Sequence, residues 1–405
     1  MNDMPPSIRR DLDFAPVQHG GQQFILIRDH LGLVQEGKAV APPLYQIMAL
    51  LDGTRNIRDI QMDLMRQKGG VLVSTDEVKG LLANLDESFV LDSERFKKAR
   101  DQIVNDFARK KIRNCSHCGH SYPHHPSELK NRLEEILKST PQVPEPEGEV
   151  RALVSPHIDL SVGGRVYSSA YQMLKHSQPK RVVIFGVGHQ MVRDLFCLTE
   201  KDFKTPLGVI KAEKPLVREL KKAGGESIAD NDFPHRSEHS IEFQLIFLQH
   251  VLKGGTFTII PIICGSVLSS LTEYSRKSYL SKAGPFLETL KGILVEDHGK
   301  TLLVAGVDFS HIGPKFGHQM PAHHLEGRST HHDKKLLYHL SSLDADGFWE
   351  ESVNVKDQFN VCGFSAMACL LEVLPHCKGQ ILDYEIWHED ATRSAVSFAA
   401  VVFTV

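Results

Sequence analysis

The chain has 405 residues, of which 41% are hydrophobic, 24% are charged and 7% are aromatic. This composition is typical of a globular protein with two to three domains, and it excludes a largely disordered or fibrous chain. The 47 Lys and Arg residues nearly balance the 50 Asp and Glu residues, so charge predicts binding to neither nucleic acid nor an acidic membrane. No apolar run approaches the ~20 residues needed to span a bilayer, and the charged N-terminus lacks the apolar core of a secretion signal. We therefore expect a cytoplasmic protein.

Two residue counts bear on the chemistry. The seven cysteines are an odd number spread over a long chain, which predicts reduced thiols rather than a disulfide framework. The 22 histidines are many beside two tryptophans and eight tyrosines. Because histidine is the commonest metal ligand, a few of them are candidates for a metal site, while most are expected to lie on the surface.

Residues 14–93 are predicted to form a small winged-helix domain. The segment before it, 1–13, is polar and is expected to be loose. Two apolar runs at 22–27 and 31–35 predict a hairpin that turns at Asp29.

Three helices and a closing strand complete this predicted domain. The third helix begins with a capping box at Ser74 and Glu77. The helices are predicted at residues 42–51, 56–68 and 74–86, and the strand at residues 89–91.

Two connectors follow in the chain. Residues 94–114 are basic and are predicted to be helical, with sparse aromatic residues that favour a solvated face over a nucleic-acid contact. Residues 139–149 are rich in Pro and acidic residues, which predicts an extended linker.

Residues 115–405 are predicted to form an α/β domain with a mainly parallel sheet covered by helices. Four apolar runs rich in Val and Ile are separated by amphipathic stretches. Within each run, apolar and polar residues do not alternate, as expected for strands buried on both faces. The runs lie at residues 151–155, 181–187, 256–264 and 301–307. Two consecutive final strands, 380–388 and 394–405, predict an antiparallel portion.

Three of the four runs end in chemically useful residues. Since ligands bind at the carboxyl ends of strands in open α/β sheets, the residues after each run are candidate site residues. His157 follows the first run, His189 follows the second, and Asp308 and His311 follow the fourth. We therefore expect these side chains to share one edge of the sheet.

Further candidates lie outside the strand ends. Glu238, His239 and Glu242 fall on adjacent positions of a predicted helix, with Ser237 as its expected N-cap. An acidic first turn is favoured by the helix dipole and explains the two Glu residues but not the His. Cys362 precedes another apolar run, where it is either a metal-binding thiolate or a small buried hydrophobe.

The pair Cys115 and Cys118, with histidines close behind, superficially suggests a zinc site. A structural zinc site normally brings a second ligand pair at defined spacing, and the chain holds no second closely spaced Cys pair. We therefore favour a metal here less than at the strand ends.

From about residue 115 to the end, the chain resembles the MEMO family, whose bacterial and archaeal members are called AmmeMemoRadiSam system protein B. The run Glu238-His239-Ser240-Ile241-Glu242 is the family's EHSIE motif, and Asp308-Phe309-Ser310-His311 is similar to its SSDFSH element. The other matches in order are Gly119 to Pro123, Ser155-Pro156-His157, Gly186 to His189 and Cys362-Gly363.

The family is similar in fold to the class III extradiol dioxygenases, which bind non-haem Fe(II). The resemblance implies that His157, His189 and Cys362 hold one metal ion, and that His311, with Asp308 beside it, serves as acid and base. It implies Fe(II) or copper ahead of zinc, although two imidazoles and a thiolate suit all three. Glu238, His239 and Glu242 would then line the substrate pocket.

The first domain also resembles a known module. Asp52-Gly53 and Ile57, with Leu50 ahead of them, are similar to an element of PqqD-like domains, which capture a peptide as an added strand. The same Asp-Gly is equally consistent with a simple helix stop.

The resemblance to the MEMO family implies a metal-dependent redox enzyme that works with a radical SAM enzyme and an AMMECR-like protein. The resemblance of the first domain to PqqD-like domains implies that the substrate is a peptide. The alternative is a non-catalytic adaptor that retains the cleft and binds a peptide in it.

Overall fold

The computed structural model describes residues 4–67, 69–141, 145–252 and 256–405. The chain divides into two compact units, Met1–Arg109 and Lys110–Val405, and each has its own hydrophobic core. Across the described ranges, no helix combines the length and the apolar character that crossing a bilayer requires.

The first unit holds a small antiparallel sheet and four helices. The strands pair in the order in which they follow along the chain. Its elements are β1 (Leu12–His19), β2 (Gln22–Asp29), β3 (Ala39–Val40), α1 (Pro42–Met48), α2 (Ile57–Gln67), α3 (Thr75–Glu87) and α4 (Glu94–Arg109).

The hairpin lies one strand earlier than predicted. It turns at Gly20 and Gly21, whose φ angles are 58° and 79°, and not at Asp29. Two consecutive left-handed residues are what a type I′ hairpin turn requires. Asp29 instead ends β2, where its carboxylate accepts hydrogen bonds from the backbone N–H groups of Leu33 and Val34, both at 2.8 Å.

The segment expected to be loose is anchored by Arg9. Its buried guanidinium pairs with the Asp29 carboxylate at 2.7 Å and donates to the carbonyl of Phe89 at 2.8 Å. It also lies over the ring of Phe96, 4.1 Å from the ring centre. Residues 1–3 of the predicted loose segment lie outside the described residues.

The three predicted helices of this unit are present, and Ser74 forms the capping box with Glu77. Lys68, the last residue of the second predicted helix, lies outside the described residues. The predicted closing strand does not form in the described chain, where Leu91 makes only an isolated bridge with Ile8. Phe89 has a φ of 56°, which breaks the extended conformation at that point.

The basic connector is helical to Arg109 and then changes to a short strand, so the helix ends four residues before Arg113. In the second connector, residues 142–144 lie outside the described residues.

The second unit follows with α/β alternation. Its elements are β4 (Ile112–Asn114), α5 (Pro126–Leu137), β5 (Val150–Ser155), α6 (Leu160–Tyr171), β6 (Arg181–Val187), β7 (Phe196–Leu198), β8 (Asp202–Thr205), β9 (Gly208–Ile210), α7 (Lys214–Gly224), α8 (His239–Val251), β10 (Thr258–Cys264), α9 (Val267–Ser270), α10 (Arg276–Glu296), β11 (Thr301–Gly306), β12 (His311–Ile312), α11 (Glu326–Ser341), α12 (Ala345–Val355), α13 (Phe364–Val373), β13 (Lys378–Glu389) and β14 (Ser394–Thr404).

A mixed sheet forms the centre of this unit. Among the described residues its strand order is β12-β14-β5-β11-β6-β10-β7, with β13 paired to β14. The central strands β5, β11, β6 and β10 are parallel, and the flanking strands are antiparallel. A smaller sheet joins β4, β8 and β9.

The central strands are buried on both faces, as their unbroken apolar pattern predicts. Along β6, Val183 and Phe185 pack into one core cluster, while Val182 and Ile184 pack into the other. The expected antiparallel pairing of the last two strands is confirmed by the register of β13 with β14. The fold class is therefore mixed α/β, with a parallel centre that brings four strand ends to one edge.

Candidate metal centre

The carboxyl ends of the central strands place the candidate side chains. β5 ends two residues before His157, β6 ends two residues before His189, and β11 ends two residues before Asp308. Because these strands are parallel neighbours, the three side chains meet at one edge of the sheet.

Two imidazoles and one thiol converge at this edge. The Nε2 atoms of His157 and His189 are 3.3 Å apart, and Cys362 Sγ lies 3.8 Å from His157 Nε2. All three donor atoms lie within 4.8 Å of one another. Cys362 comes from the loop before α13, so a remote part of the chain completes the cluster.

The orientation of His189 is fixed from behind by Glu238. His189 Nδ1 lies 3.0 Å from a carboxylate oxygen of Glu238, and since a carboxylate only accepts, Nδ1–H must donate. In the neutral ring Nε2 then keeps its lone pair, and it faces His157. This carboxylate–histidine pair is the arrangement that orients histidine ligands in metal sites.

The distances fit a bound ion. Two imidazole nitrogens that each bind an ion at about 2.0–2.1 Å in a tetrahedral arrangement lie about 3.3 Å apart. The two Nε2 atoms have that separation. His157 Nδ1 is buried and has no hydrogen-bond partner among the described residues, so Nε2 is its available coordinating atom.

Burial disfavours the charged form of each of these three side chains. Burial, with the nearby His189 and His239, holds the pKa of His157 well below its usual value. Burial lowers the pKa of His189 too, but the Glu238 carboxylate outweighs it and raises the pKa overall. Burial and the Asp308 carboxylate raise the pKa of the Cys362 thiol well above its usual value. A cation that replaced the thiol proton would relieve this cost.

Asp308 supports the ligand loop. Its Oδ1 accepts from the backbone N–H groups of His157 and Ile158 at 3.0 and 3.3 Å, and its Oδ2 lies 3.9 Å from His157 Nε2. Burial raises the pKa of Asp308 to about 7. Its carbonyl also accepts from the N–H of Gly363 at 3.1 Å, which ties the Cys362 loop to the same strand end.

The ring of His311 is held in its neutral form by its surroundings. Its Nδ1 lies 2.9 Å from the carbonyl of Phe309, and a carbonyl only accepts, so Nδ1–H donates and Nε2 is left unprotonated. Burial lowers the pKa of His311 to about 4, so the ring is neutral at neutral pH. Asn360 donates to the carbonyl of His311 at 3.2 Å and fixes the backbone here.

A cavity of about 480 Å³ adjoins the cluster. His189, His311 and Cys362 all contribute to its wall, so a molecule in the cavity would contact two of the candidate metal ligands and His311. Asp357 and Asn360 also line it, and no sequence motif identified either of them.

That Glu238, His239 and Glu242 line a substrate pocket stays a prediction. In the described chain none of the three belongs to the wall of this cavity. Glu238 contacts His189 and is also the N-cap of α8, a position expected for Ser237. Its carboxylate accepts a hydrogen bond from the N–H of Ser240 at 2.9 Å.

Glu242 and His239 have different surroundings from each other. The buried Glu242 carboxylate pairs with Arg113 and accepts from the Tyr122 hydroxyl. His239 stacks on His189 with ring centres 5.0 Å apart and planes at 15°, so it packs against the ligand cluster. Its side chain is 29% exposed.

The loop that delivers Cys362 turns through three left-handed residues. Lys356, Asp357 and Asn360 all have φ angles near 50°. Lys356 is the C-cap of α12, and Asp and Asn are the residues other than glycine that adopt this conformation most readily.

One expectation about the cysteines is wrong. Cys115 and Cys118 form a disulfide, whereas five others, Cys197, Cys264, Cys362, Cys369 and Cys377, are free. The composition-based prediction of reduced thiols therefore holds for the site cysteine but not for this pair.

Comparison with known proteins identifies the family. The family model for Memo-like proteins matches residues 113–402. A MEMO1 family protein from Aquifex aeolicus is 31% identical over an alignment that covers 99% of this chain and 100% of that protein. The chain belongs to the MEMO1 family.

Other MEMO1 family members differ in how much of the chain they match. A MEMO1 family protein from Thermus thermophilus is 27% identical, over 86% of this chain and 99% of that protein. The protein memo-1 homolog of Caenorhabditis elegans is 26% identical, over 71% of this chain and 77% of that protein. The Aquifex alignment therefore includes the first unit of the chain along with the second.

Proposed function

We propose that this MEMO1 family protein binds one iron or copper ion through His157, His189 and Cys362 and is a metal-dependent redox enzyme. The observation that supports this most directly is that the Nε2 atoms of His157 and His189 lie 3.3 Å apart, with the Cys362 thiol beside them. Glu238 orients one of the two rings, that of His189. Three protein ligands leave a position open for a substrate, as catalytic sites require.

The donor set favours a redox metal. A thiolate-ligated iron or copper ion supplies one-electron chemistry toward O₂ or a bound substrate. The two imidazoles and the thiolate also suit zinc, so metal analysis decides among the three.

The chain's own residues would hold the substrate and move a proton. A substrate in the 480 Å³ cavity contacts His311, whose unprotonated Nε2 accepts a proton from an acidic group of the substrate. Asp357 is well placed to orient a polar group of the same substrate, since it lines the same wall. Asp308 holds the His157 loop in position through two backbone hydrogen bonds.

Metal analysis of freshly purified protein, prepared without oxygen, tests the proposal. We expect about one iron or copper ion per chain and an absorption band from thiolate-to-metal charge transfer. His157→Ala, His189→Ala and Cys362→Ala should each lower the bound metal at least about tenfold. Cys377→Ala and His388→Ala, which change a free cysteine and an exposed histidine outside the site, should retain it.

Metal content that is unchanged in all three ligand variants would contradict the proposal. Peptide binding by metal-free protein, with the same affinity as the loaded protein, would favour the non-catalytic adaptor instead.

We further propose that the first unit binds a peptide substrate in the manner of PqqD-like domains, and that the protein acts with a radical SAM enzyme and an AMMECR-like protein. Among the described residues β1 is an edge strand of the antiparallel sheet, and this supports the proposal because an extended peptide can add to an edge as a further strand. Co-purification of tagged protein from its source cell, with and without residues 1–109, tests both partnerships.

A further inference from the structure

Cys115 and Cys118 form a bonded pair on the surface of the second unit. They follow β4 directly, and both residues are partly exposed and partly buried against the core of this unit, so we expect a small reagent to reach the bond. Neither residue has a role in the metal centre proposed above.

The loop around the pair is held by groups other than the sulfur–sulfur bond. The buried Glu242 carboxylate accepts from the backbone N–H groups of Ser116 and His117, both at 3.0 Å. The same carboxylate pairs with Arg113 and accepts from the Tyr122 hydroxyl. The two sulfurs should therefore stay close together when the bond between them is broken.

The bond itself constrains little chain. Only three positions separate the two cysteines, and a disulfide stabilises a fold less as the loop it closes becomes shorter. A bond that is accessible, encloses a short loop and has its surroundings fixed independently has the features of a reversible redox pair rather than a staple.

The pair also lies next to the histidine cluster. His117, between the two cysteines, packs on His239 with ring centres 5.3 Å apart. His239 in turn stacks on His189 at 5.0 Å. The sulfur pair is thus separated from the candidate metal ligand by two aromatic rings.

We propose that Cys115 and Cys118 form a redox-active couple that exchanges electrons with a dithiol carrier. A thiolate of the carrier attacks one sulfur, the Cys115–Cys118 bond breaks, and the other sulfur leaves as a thiolate that takes up a proton. The second thiolate of the carrier then attacks the mixed disulfide, so the carrier leaves as a disulfide. Two electrons and two protons pass to the pair, and none of these steps depends on a metal at His157, His189 and Cys362.

Thiol labelling of the native full-length protein tests this, with dithiothreitol as the dithiol. Mild reduction without denaturant should add two maleimide labels per chain, as counted by intact mass, and reoxidation should remove both. Reduction should lower the midpoint of thermal unfolding by no more than about 6 °C, since the loop that the bond closes is short, and unfolding should stay cooperative. Cys115→Ser and Cys118→Ser should each form a mixed disulfide with oxidised glutathione, whereas Cys377→Ser should label like the parent protein.

Three outcomes would overturn the proposal. If the two labels appear only in denaturant, or if reduction abolishes cooperative unfolding, the bond is a structural staple. His124 also has a ring nitrogen within 4.8 Å of both sulfurs. If the reduced protein retains one zinc ion that is lost in both Cys115→Ser and His124→Ala, the pair is a metal site instead.

Discussion

Glu238 shows how one residue can act on the candidate centre without belonging to its ligands. Its carboxylate accepts a hydrogen bond from His189 Nδ1–H and also caps the N-terminus of α8. The EHSIE motif drew attention to this residue, but spacing along a helix cannot say whether a carboxylate faces a substrate or a neighbouring imidazole. That distinction depends on the strand end that packs against the helix.

We expect Glu238→Gln to weaken metal binding about 10- to 100-fold, because the amide orients and polarises His189 less well than the carboxylate. Competition with a chromophoric chelator measures the affinity. Glu219→Gln, which changes an exposed glutamate on α7, is the matched control and should bind like the parent. Equal affinities in the two variants would remove the role assigned to Glu238.

His235 gives the protein a pH-dependent stability that is separate from the metal ligands. It is buried, its Nε2 lies 3.0 Å from the carbonyl of Cys197, and burial lowers its pKa to about 4. In the unfolded chain the His235 imidazole is protonated as the pH falls through about 6.5, whereas in the folded chain it is protonated only near pH 4. Its contribution to stability is therefore complete above pH 6.5 and is lost as the pH falls toward 4.

We expect the free energy of unfolding to decrease across this window, and His235→Gln to reduce the slope by at most about 1.4 kcal/mol per pH unit. Urea denaturation at several pH values between 7.5 and 4.5 measures this. A residual slope remains in the variant because burial also lowers the pKa values of His239 and His311. An unchanged slope in the variant would show that His235 titrates normally in the folded protein.

At the scale of elements, glycines at two strand ends allow α8 to approach the sheet. A Cβ atom on Gly186 would lie 2.5 Å from Ser240 Oγ, and one on Gly306 would overlap the backbone carbonyl of Ser240. Ser240 Oγ in turn accepts from the N–H of Val187 at 2.9 Å. The close fit brings Glu238, at the start of the same helix, to His189.

We expect Gly306→Ala to destabilise the protein by roughly 1–3 kcal/mol, since backbone must move to admit the methyl group. Gly292→Ala is the control, because that helical glycine has open space around its Cβ position and should gain about 0.5–1 kcal/mol. Thermal and urea unfolding measure both. Equal effects of the two substitutions would mean that α8 can shift without cost.

Sequence reasoning found the strand ends but not every contact across the fold. The uninterrupted Val- and Ile-rich runs located β5, β6, β10 and β11, and the residues after three of them converge as expected. It misplaced the first hairpin, since Gly20-Gly21 is a stronger turn signal than Asp29 and the pairing of Arg9 with Asp29 spans 20 residues. Asp357 and Asn360 were not found because their position depends on how the loop before α13 turns, which no sequence motif signals.

At the scale of the whole molecule, the two units can be observed separately. Both tryptophans, Trp349 and Trp387, lie in the second unit, so their fluorescence reports on that unit alone. Circular dichroism reports on helices and strands of both.

We expect Arg9→Met to destabilise the first unit by about 3–5 kcal/mol, because it leaves the Asp29 carboxylate buried without its cation. The unfolding curve by circular dichroism should gain an early transition, while the midpoint by tryptophan fluorescence stays unchanged. Arg10→Met changes an exposed neighbour and should leave both curves unchanged. Coincident shifts of both probes would show that the units unfold as one.

The ligand residues enter the site from distant parts of the chain, and 205 positions separate His157 from Cys362. An ion shared between them would act as a cross-link, and long cross-linked loops restrict an unfolded chain more than short ones do. It would also bind the folded chain alone and pull the folding equilibrium toward it. The cell's metal supply would then govern how long each molecule survives proteases, quite apart from any reaction that it catalyses.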